Sequence, residues 1–145
     1  MTKTMPSTAR SLPIALIRAR EGVMQPIREM LAETGLTEQQ WRVLRVLAEH
    51  GAQDASTLAK RASLLFPSLT RITQSMNAKG LITQSRDASD RRRQLITIAP
   101  QGQKIIDAYT AQAVQLVAGF KAALGAETYE QLLDLLALLD PGSAD

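Results

Sequence analysis

Two periods of apolar and polar residues alternate along this chain, and each change of period marks a boundary. From Ser11 to Gly35, Leu12, Leu16, Val23, Ile27, Met30 and Leu31 recur at helical spacing. That predicts one amphipathic helix closed by Gly35. Pro26 lies inside it, removing a backbone donor and crowding the carbonyl of Gly22, so a kink is expected over residues 22–26. In "LTEQQWRVLRVLAEHGA", Thr37 and Gln40 have capping-box spacing and Leu36 is placed to staple onto Trp41. Trp41, Leu44, Val46, Leu47 and Ala48 then point inward. Two short helices follow, the first over Ala55–Ala62 with Asp54 as its cap. The second begins near Pro67 and ends at Lys79–Gly80. On it, Leu69, Ile72 and Met76 form one apolar stripe. The opposite face carries Pro67, Arg71, Gln74 and Ala78, flanked by Ser68, Thr70 and Ser75.

The period then drops to two. "LITQSRD" and "RQLITIA" read as short strands joined by a charged turn. After "APQG", Ile106, Tyr109, Ala113, Leu116, Phe120 and Leu124 restore the three-four spacing. They predict a helix from Gln101 to Leu124, on the order of 35 Å long, followed by a short leucine-rich helix. The pattern contains no internal repeat. Its fold class is mainly α with a minor β component. Two short helices followed by a ribbon read as a winged helix-turn-helix.

Composition narrows the function. The 145 residues fit one domain. There is no cysteine and one histidine, which excludes disulfides, thiol nucleophiles, thiolate metal sites and multi-histidine metal sites. His50 falls where a helix ends, a position favourable to its interaction with the helix dipole. No GxSxG elbow accompanies it, so the expectation is no enzyme, no metal and no cofactor. No apolar run is long enough for a membrane span, and "LPIALI" is too short for a signal-peptide core. A cytoplasmic location is the expectation.

Charge is segregated. Formal net charge is +3. Ala55–Arg93 holds eight basic residues against Asp87 and Asp90, a local +6, leaving −3 for the rest. Between Ala55 and Arg86 there is no carboxylate. This is the electrostatic footprint of a nucleic-acid binder. An anionic-lipid surface would place such charge on an amphipathic helix, whereas the densest part here, "RDASDRRR", is a turn. The second short helix suits a DNA major groove because its outward side chains are short enough for close approach. Ser68, Thr70, Gln74 and Ser75 offer donors to phosphates or base edges, and Arg71 reaches guanine or phosphate. The turn, with Arg86, Arg91, Arg92 and Arg93, then delivers arginine to the adjacent minor groove. Asp90 is spaced to orient Arg92 through a bidentate pair. The rival class is a winged-helix protein-interaction module that meets an acidic partner.

On "RDASDRRRQLITIAPQG" and "FPSLTRITQSMNAKGLI", the chain resembles the MarR family of winged-helix transcription regulators over nearly its whole length. "LPIALIRAREGVMQPIREMLAETGLTEQQWRVLRVLAE" and "PSLTRI" resemble the subgroup of repressors of homoprotocatechuate (3,4-dihydroxyphenylacetate) degradation. The resemblance places a wing pair on Asp90 and Arg92 and a groove-reading helix on Pro67 to Ala78. It implies a homodimer built by the first and last helices (about residues 11–35 and 100–140) around a DNA-binding lobe at about 37–99, all within one domain over 1–145. It also implies double-stranded operator DNA of pseudo-palindromic sequence as partner. A small aromatic carboxylic acid is the implied ligand, bound between the dimer helices and the lobe. Arg18, Arg20, Met24, Trp41 and Arg45 are the candidates facing that junction. An arginine offers a carboxylate bidentate geometry, and Trp41 can wall an aromatic ring. The bland alternative is Trp41 as core filler, with the arginines paired to Glu21, Glu38 or Glu49. One departure stands out: Ala99 occupies a helix N-cap position where the family usually has threonine, a loss worth about 1 kcal/mol.

Overall fold

Most helices of the computed structural model, which describes residues 3–142, begin where the sequence satisfies or omits a first-turn backbone donor. After a short 3-10 turn at Thr8–Arg10, α1 spans Leu12–Leu31 with Pro13 in its first turn and Pro26 inside it. Helix α2 spans Glu38–His50 behind the full capping box: Thr37 Oγ1 accepts from Gln40 N at 3.1 Å, and Gln40 Oε1 accepts from Thr37 N at 3.2 Å. Asp54 caps α3 (Ala55–Arg61) by accepting from Thr57 N at 2.8 Å. Helices α4 (Phe66–Ala78) and α5 (Pro100–Leu124) each have a proline in the first turn, Pro67 and Pro100, which has no donor to satisfy. Ala99 gives α5 no side-chain cap. Helix α6 is Ala126–Leu139.

The ribbon is part of a three-stranded antiparallel sheet. Strands β1 (Gln53–Asp54), β2 (Ile82–Arg86) and β3 (Gln94–Ile98) lie in the order β1-β3-β2, with β3 central. Gln53 faces Ile96 and Asp54 faces Leu95. The two-stranded ribbon expected from the sequence is therefore corrected by one strand. Two residues are too short for period-two alternation to register, and tertiary pairing alone creates β1. Helix α1 also stops four residues before Gly35. Thr34 N bonds to Leu31 O at 2.9 Å, and the chain turns at Gly35 with φ 74°.

Helices α3 and α4 close with the same device. Leu64 N bonds to Ala59 O and Ser63 N to Lys60 O, while Leu81 N bonds to Met76 O and Gly80 N to Asn77 O. Both are Schellman motifs, which need a left-handed residue after the cap and an apolar residue beyond it. Gly80 (φ 74°) supplies the first at α4; at α3 the position is Ser63, with φ 55°. Leu81 is buried and Leu64 packs against the core.

That core lies inside the winged lobe. Val43, Leu44 and Leu47 of α2, Leu58 of α3, Leu69 and Met76 of α4, and Ile82 and Ile96 of the sheet are essentially inaccessible to water. Thr73 also faces inward, where its hydroxyl donates to the Leu69 carbonyl at 2.9 Å. The long helices bury far less. Only Met30 and Leu31 of α1 and Gly102 of α5 are buried, and no described residue of α6 is. Lobe and long helix meet at Gly102. A Cβ there would fall on the Leu81 carbonyl oxygen and within 3.0–3.1 Å of Ile98 Cγ1 and Leu44 Cδ2. Nothing larger than glycine fits against that carbonyl, which also accepts from Ala99 N at 3.0 Å.

Candidate DNA-binding and ligand sites

Helix α4 turns Leu69, Thr73 and Met76 into the core, so its opposite face is set by geometry. Pro67, Thr70, Arg71 and Gln74 on that face are exposed, with Ser68 and Ser75 half-buried at its margins. Thr70 donates its hydroxyl to the Phe66 carbonyl at 3.2 Å, which leaves its oxygen as an acceptor. Leu65 (78% exposed) and Phe66 (52%) stand at the start of the helix, large apolar side chains turned to solvent beside this polar face. The sequence reading passed over them because they break no helical stripe.

The wing tip joins β2 to β3 through residues 87–93, and its arginines separate into two kinds. Arg86 Nη1 donates to the Arg91 carbonyl at 2.7 Å across the base of the turn. Arg93 turns back to the lobe: its Nη2 lies 2.6 Å from Asp54 Oδ2 and its Nε 3.9 Å from Asp87 Oδ2. Arg92 points outward with a side chain 93% exposed, and Arg91 is exposed with no ion-pair partner among the described residues. Asp90 does hold Arg92, but not in the expected bidentate fork. Asp90 Oδ1 alone accepts both Arg92 Nε at 3.3 Å and Arg92 N at 3.1 Å. With only one residue between the two, the carboxylate binds the near end of the guanidinium and leaves both Nη groups to solvent. Asp87 is held below the usual carboxylate range, first by the Ser89 amide and hydroxyl and then by Arg93. Asp54 is likewise lowered, mainly by its cap to Thr57 and less by Arg93.

A second feature lies between α2 and α5. A cleft of about 660 Å³ is lined from α2 by Trp41, Arg45 and Glu49 and from α5 by Gln103, Ile106 and Thr110, running on to Lys121. Its size suits a small organic ligand. Of the five candidate ligand residues, the fold brings Trp41 and Arg45 together here. Arg18, Arg20 and Met24 of α1 do not line it. Arg20 is drawn to the start of α2 instead, with Nη2 2.5 Å from Glu38 Oε1. Arg28 joins it, pairing with Glu21 at 2.9 Å and Glu38 at 3.4 Å. For Arg20 the bland pairing with Glu38 is thus the observed one. Hydrogen bonding to Arg20 pulls the Glu38 carboxyl below its ordinary value. The sequence reading missed the α5 wall, although Gln103, Ile106, Thr110 and Ala113 repeat at three-four spacing. The apolar stripe read from the sequence contains Ile106 and Ala113 of that row but neither Gln103 nor Thr110.

A winged helix with a carboxylate-free exposed face on α4 and an arginine-tipped wing fits a DNA-binding regulator. Comparison with known proteins gives the family. The MarR family profile matches residues 36–93. The chain is 38% identical over 126 residues to the homoprotocatechuate degradative operon repressor of Escherichia coli, covering 87% of this chain and 85% of that protein. Among solved structures, NadR in complex with 4-hydroxyphenylacetate is similar at TM-score 0.82 and 33% identity, covering 98% of this chain and 99% of NadR. The transcriptional repressor CouR, bound to a 23-mer DNA duplex, is similar at TM-score 0.76 and 26% identity, covering 96% and 99%. The chain belongs to the MarR family and is a DNA-binding transcriptional regulator, not an enzyme. No helix among the described residues is long and apolar enough to cross a membrane.

Proposed function

We propose that the chain is a cytoplasmic, homodimeric repressor that a small aromatic acid releases from a pseudo-palindromic operator. The observation that carries the reading is the α2–α5 cleft. It sets an indole wall (Trp41) beside a guanidinium (Arg45), with Thr110 and Gln103 opposite to meet a ring hydroxyl. Helix α2 belongs to the DNA-binding lobe and α5 leads away from it, so one ligand touches both. Such a ligand favours one lobe placement over another by its differential affinity for the two, about 1–3 kcal/mol at most. The relatives support the class of ligand: NadR was solved with 4-hydroxyphenylacetate, and a repressor of homoprotocatechuate degradation is 38% identical.

Exposed apolar surface on α1 and α6 supports dimerisation through those helices. Leu12, Leu16, Ile17 and Val23 of α1 are open to solvent in the single chain, as are six leucines of α6 between Leu132 and Leu139. That is more contiguous apolar surface than monomers keep. Two recognition helices then sit about one DNA turn apart, roughly 34 Å.

The test is calorimetry of 4-hydroxyphenylacetate and 3,4-dihydroxyphenylacetate with the free protein and with the protein on operator DNA. Weaker binding to the DNA-bound form, and the same fold loss of operator affinity when ligand is present, is the expected result. Equal affinity in the two titrations excludes that compound as inducer. No binding of any phenylacetate or benzoate leaves a ligand-independent regulator.

A further inference from the structure

The wing carries four arginines, and a wing that only delivers charge to DNA would hold all four outward. Two are built into the fold instead. Arg93 is fixed at four points. Its N–H donates to the Asp90 carbonyl at 3.0 Å, and its own carbonyl accepts from Asp87 N at 2.9 Å. Its Nη2 lies 2.6 Å from Asp54 Oδ2, and its Nε faces Asp87. Asp54 is not a loose surface carboxylate: its other oxygen caps α3 at Thr57, and its backbone pairs with Leu95 in the sheet. The Arg93–Asp54 pair therefore ties the hairpin to the start of the helix-turn-helix, 39 residues earlier in the chain.

We propose that Arg93 is a positioning residue and not a DNA contact: paired with Asp54, it sets the angle of the wing to α3 and α4, so that Arg91 and Arg92 carry the wing's charge to DNA. This rests on the reading that the wing meets DNA. The pair is half-exposed, and its effect is correspondingly modest. What it fixes is direction, since beyond the short pairing with β1 at Leu95 and Ile96 the hairpin runs on as two strands, an arrangement only marginally ordered by itself.

Charge arithmetic and positioning make opposite forecasts for Asp54→Asn. Asparagine caps a helix as well as aspartate, so α3 keeps its start. Removing a negative charge from a basic face should tighten DNA binding if electrostatics alone acts. If Asp54 holds the wing through Arg93, binding weakens. The experiment is operator titration at several salt concentrations for Arg92→Gln, Arg93→Gln, Asp54→Asn and the Arg93→Gln/Asp54→Asn double variant, with amide exchange of residues 87–93 in the DNA-free protein.

Arg93→Gln and Asp54→Asn should each weaken operator binding by about threefold, the scale of a half-exposed pair, with the parent's salt slope. The double variant should be no worse than either single one, because the two act as a unit. Exchange at the wing tip should quicken in all three. Arg92→Gln should lower the salt slope by about 0.9, one phosphate's worth of counterion. A slope reduced by about 0.9 in Arg93→Gln, or parental or tighter binding by Asp54→Asn, overturns the proposal. Arg92→Gln leaving both affinity and slope unchanged would instead refute the wing's contact with DNA.

Discussion

Replacing Gly102 by alanine adds one methyl group at the place where the long helix meets the lobe. In an ordinary helix that change stabilises by about 0.5–1 kcal/mol, because glycine loses more backbone freedom on folding. Here the new Cβ falls on a carbonyl oxygen, Leu81 O, and within 3.1 Å of two core side chains. Leu44 is fully buried, so its methyl has no empty rotamer to move into. The carbonyl has no rotamer at all, and it already holds Ala99 N. The clash is therefore relieved only by shifting the first turn of α5 outward. Overpacking of this kind costs about 1–3 kcal/mol, which exceeds the helix gain and leaves a net loss of about 1–2 kcal/mol. For a chain of this size that corresponds to a melting temperature lower by roughly 3–8 °C. Thermal unfolding followed by circular dichroism measures it, and an operator titration on the same sample reports whether the displaced helix also moves the lobe. A variant that melts at or above the parent temperature would refute the argument, since only the contacts with Leu81, Ile98 and Leu44 turn a stabilising substitution into a harmful one.

Four further outcomes are expected. Ser63→Gly should raise stability by about 0.5–1 kcal/mol in denaturant titration, since Ser63 holds a left-handed φ of 55° that glycine adopts at little cost. Ala99→Ser should add about 1 kcal/mol by supplying α5 with its missing side-chain cap, and a thermal melt shows it. Arg71→Ala should narrow the difference between operator and random DNA, whereas Arg92→Ala should cost roughly 1–3 kcal/mol on the operator; fluorescence titrations on both DNAs separate the two. Stability should be level at neutral pH and fall in acid. Asp54, Asp87, Glu21 and Glu38 all titrate below their ordinary values, so the stability they contribute is present above those values and lost as pH falls through the lower folded ones. A pH series of melts checks this, and Asp54→Asn should flatten the acid limb.

Period and capping chemistry were legible in the sequence. The start of α2 follows from Thr37 and Gln40, the start of α3 from Asp54, and the end of α4 from Gly80, each satisfied locally by a side chain or a glycine. The inward face of α4 was also legible, except Thr73, whose hydroxyl conceals a buried position by bonding back to its own helix. What the sequence could not show depends on distant partners. Strand β1 exists because Gln53 and Asp54 meet β3 more than forty residues later. The two fates of the wing arginines are set by Asp54 as much as by the turn that holds them. The cleft needed α2 and α5 side by side before Gln103 and Thr110 could be seen to face Trp41. Arg18, Arg20 and Met24 failed to join it because helical spacing gives the face of a helix but not its neighbour, and Glu38 claims Arg20.

The two Schellman closures have an evolutionary consequence. Helix α4 begins just beyond one of them and ends in the other, and between them it is anchored by Leu69, Thr73 and Met76. Its placement is thus fixed by backbone hydrogen bonds and core side chains, none of which lies on the exposed face of the helix. Exposed positions 67, 70, 71, 74 and 78 carry little of the protein's stability, and surface exchanges of that kind typically change it by no more than about 0.5 kcal/mol. If that face reads DNA as proposed, a lineage carrying this scaffold can alter its operator one residue at a time without passing through an unfolded intermediate form. Gene duplicates can diverge in their DNA targets quickly while their architecture stays the same.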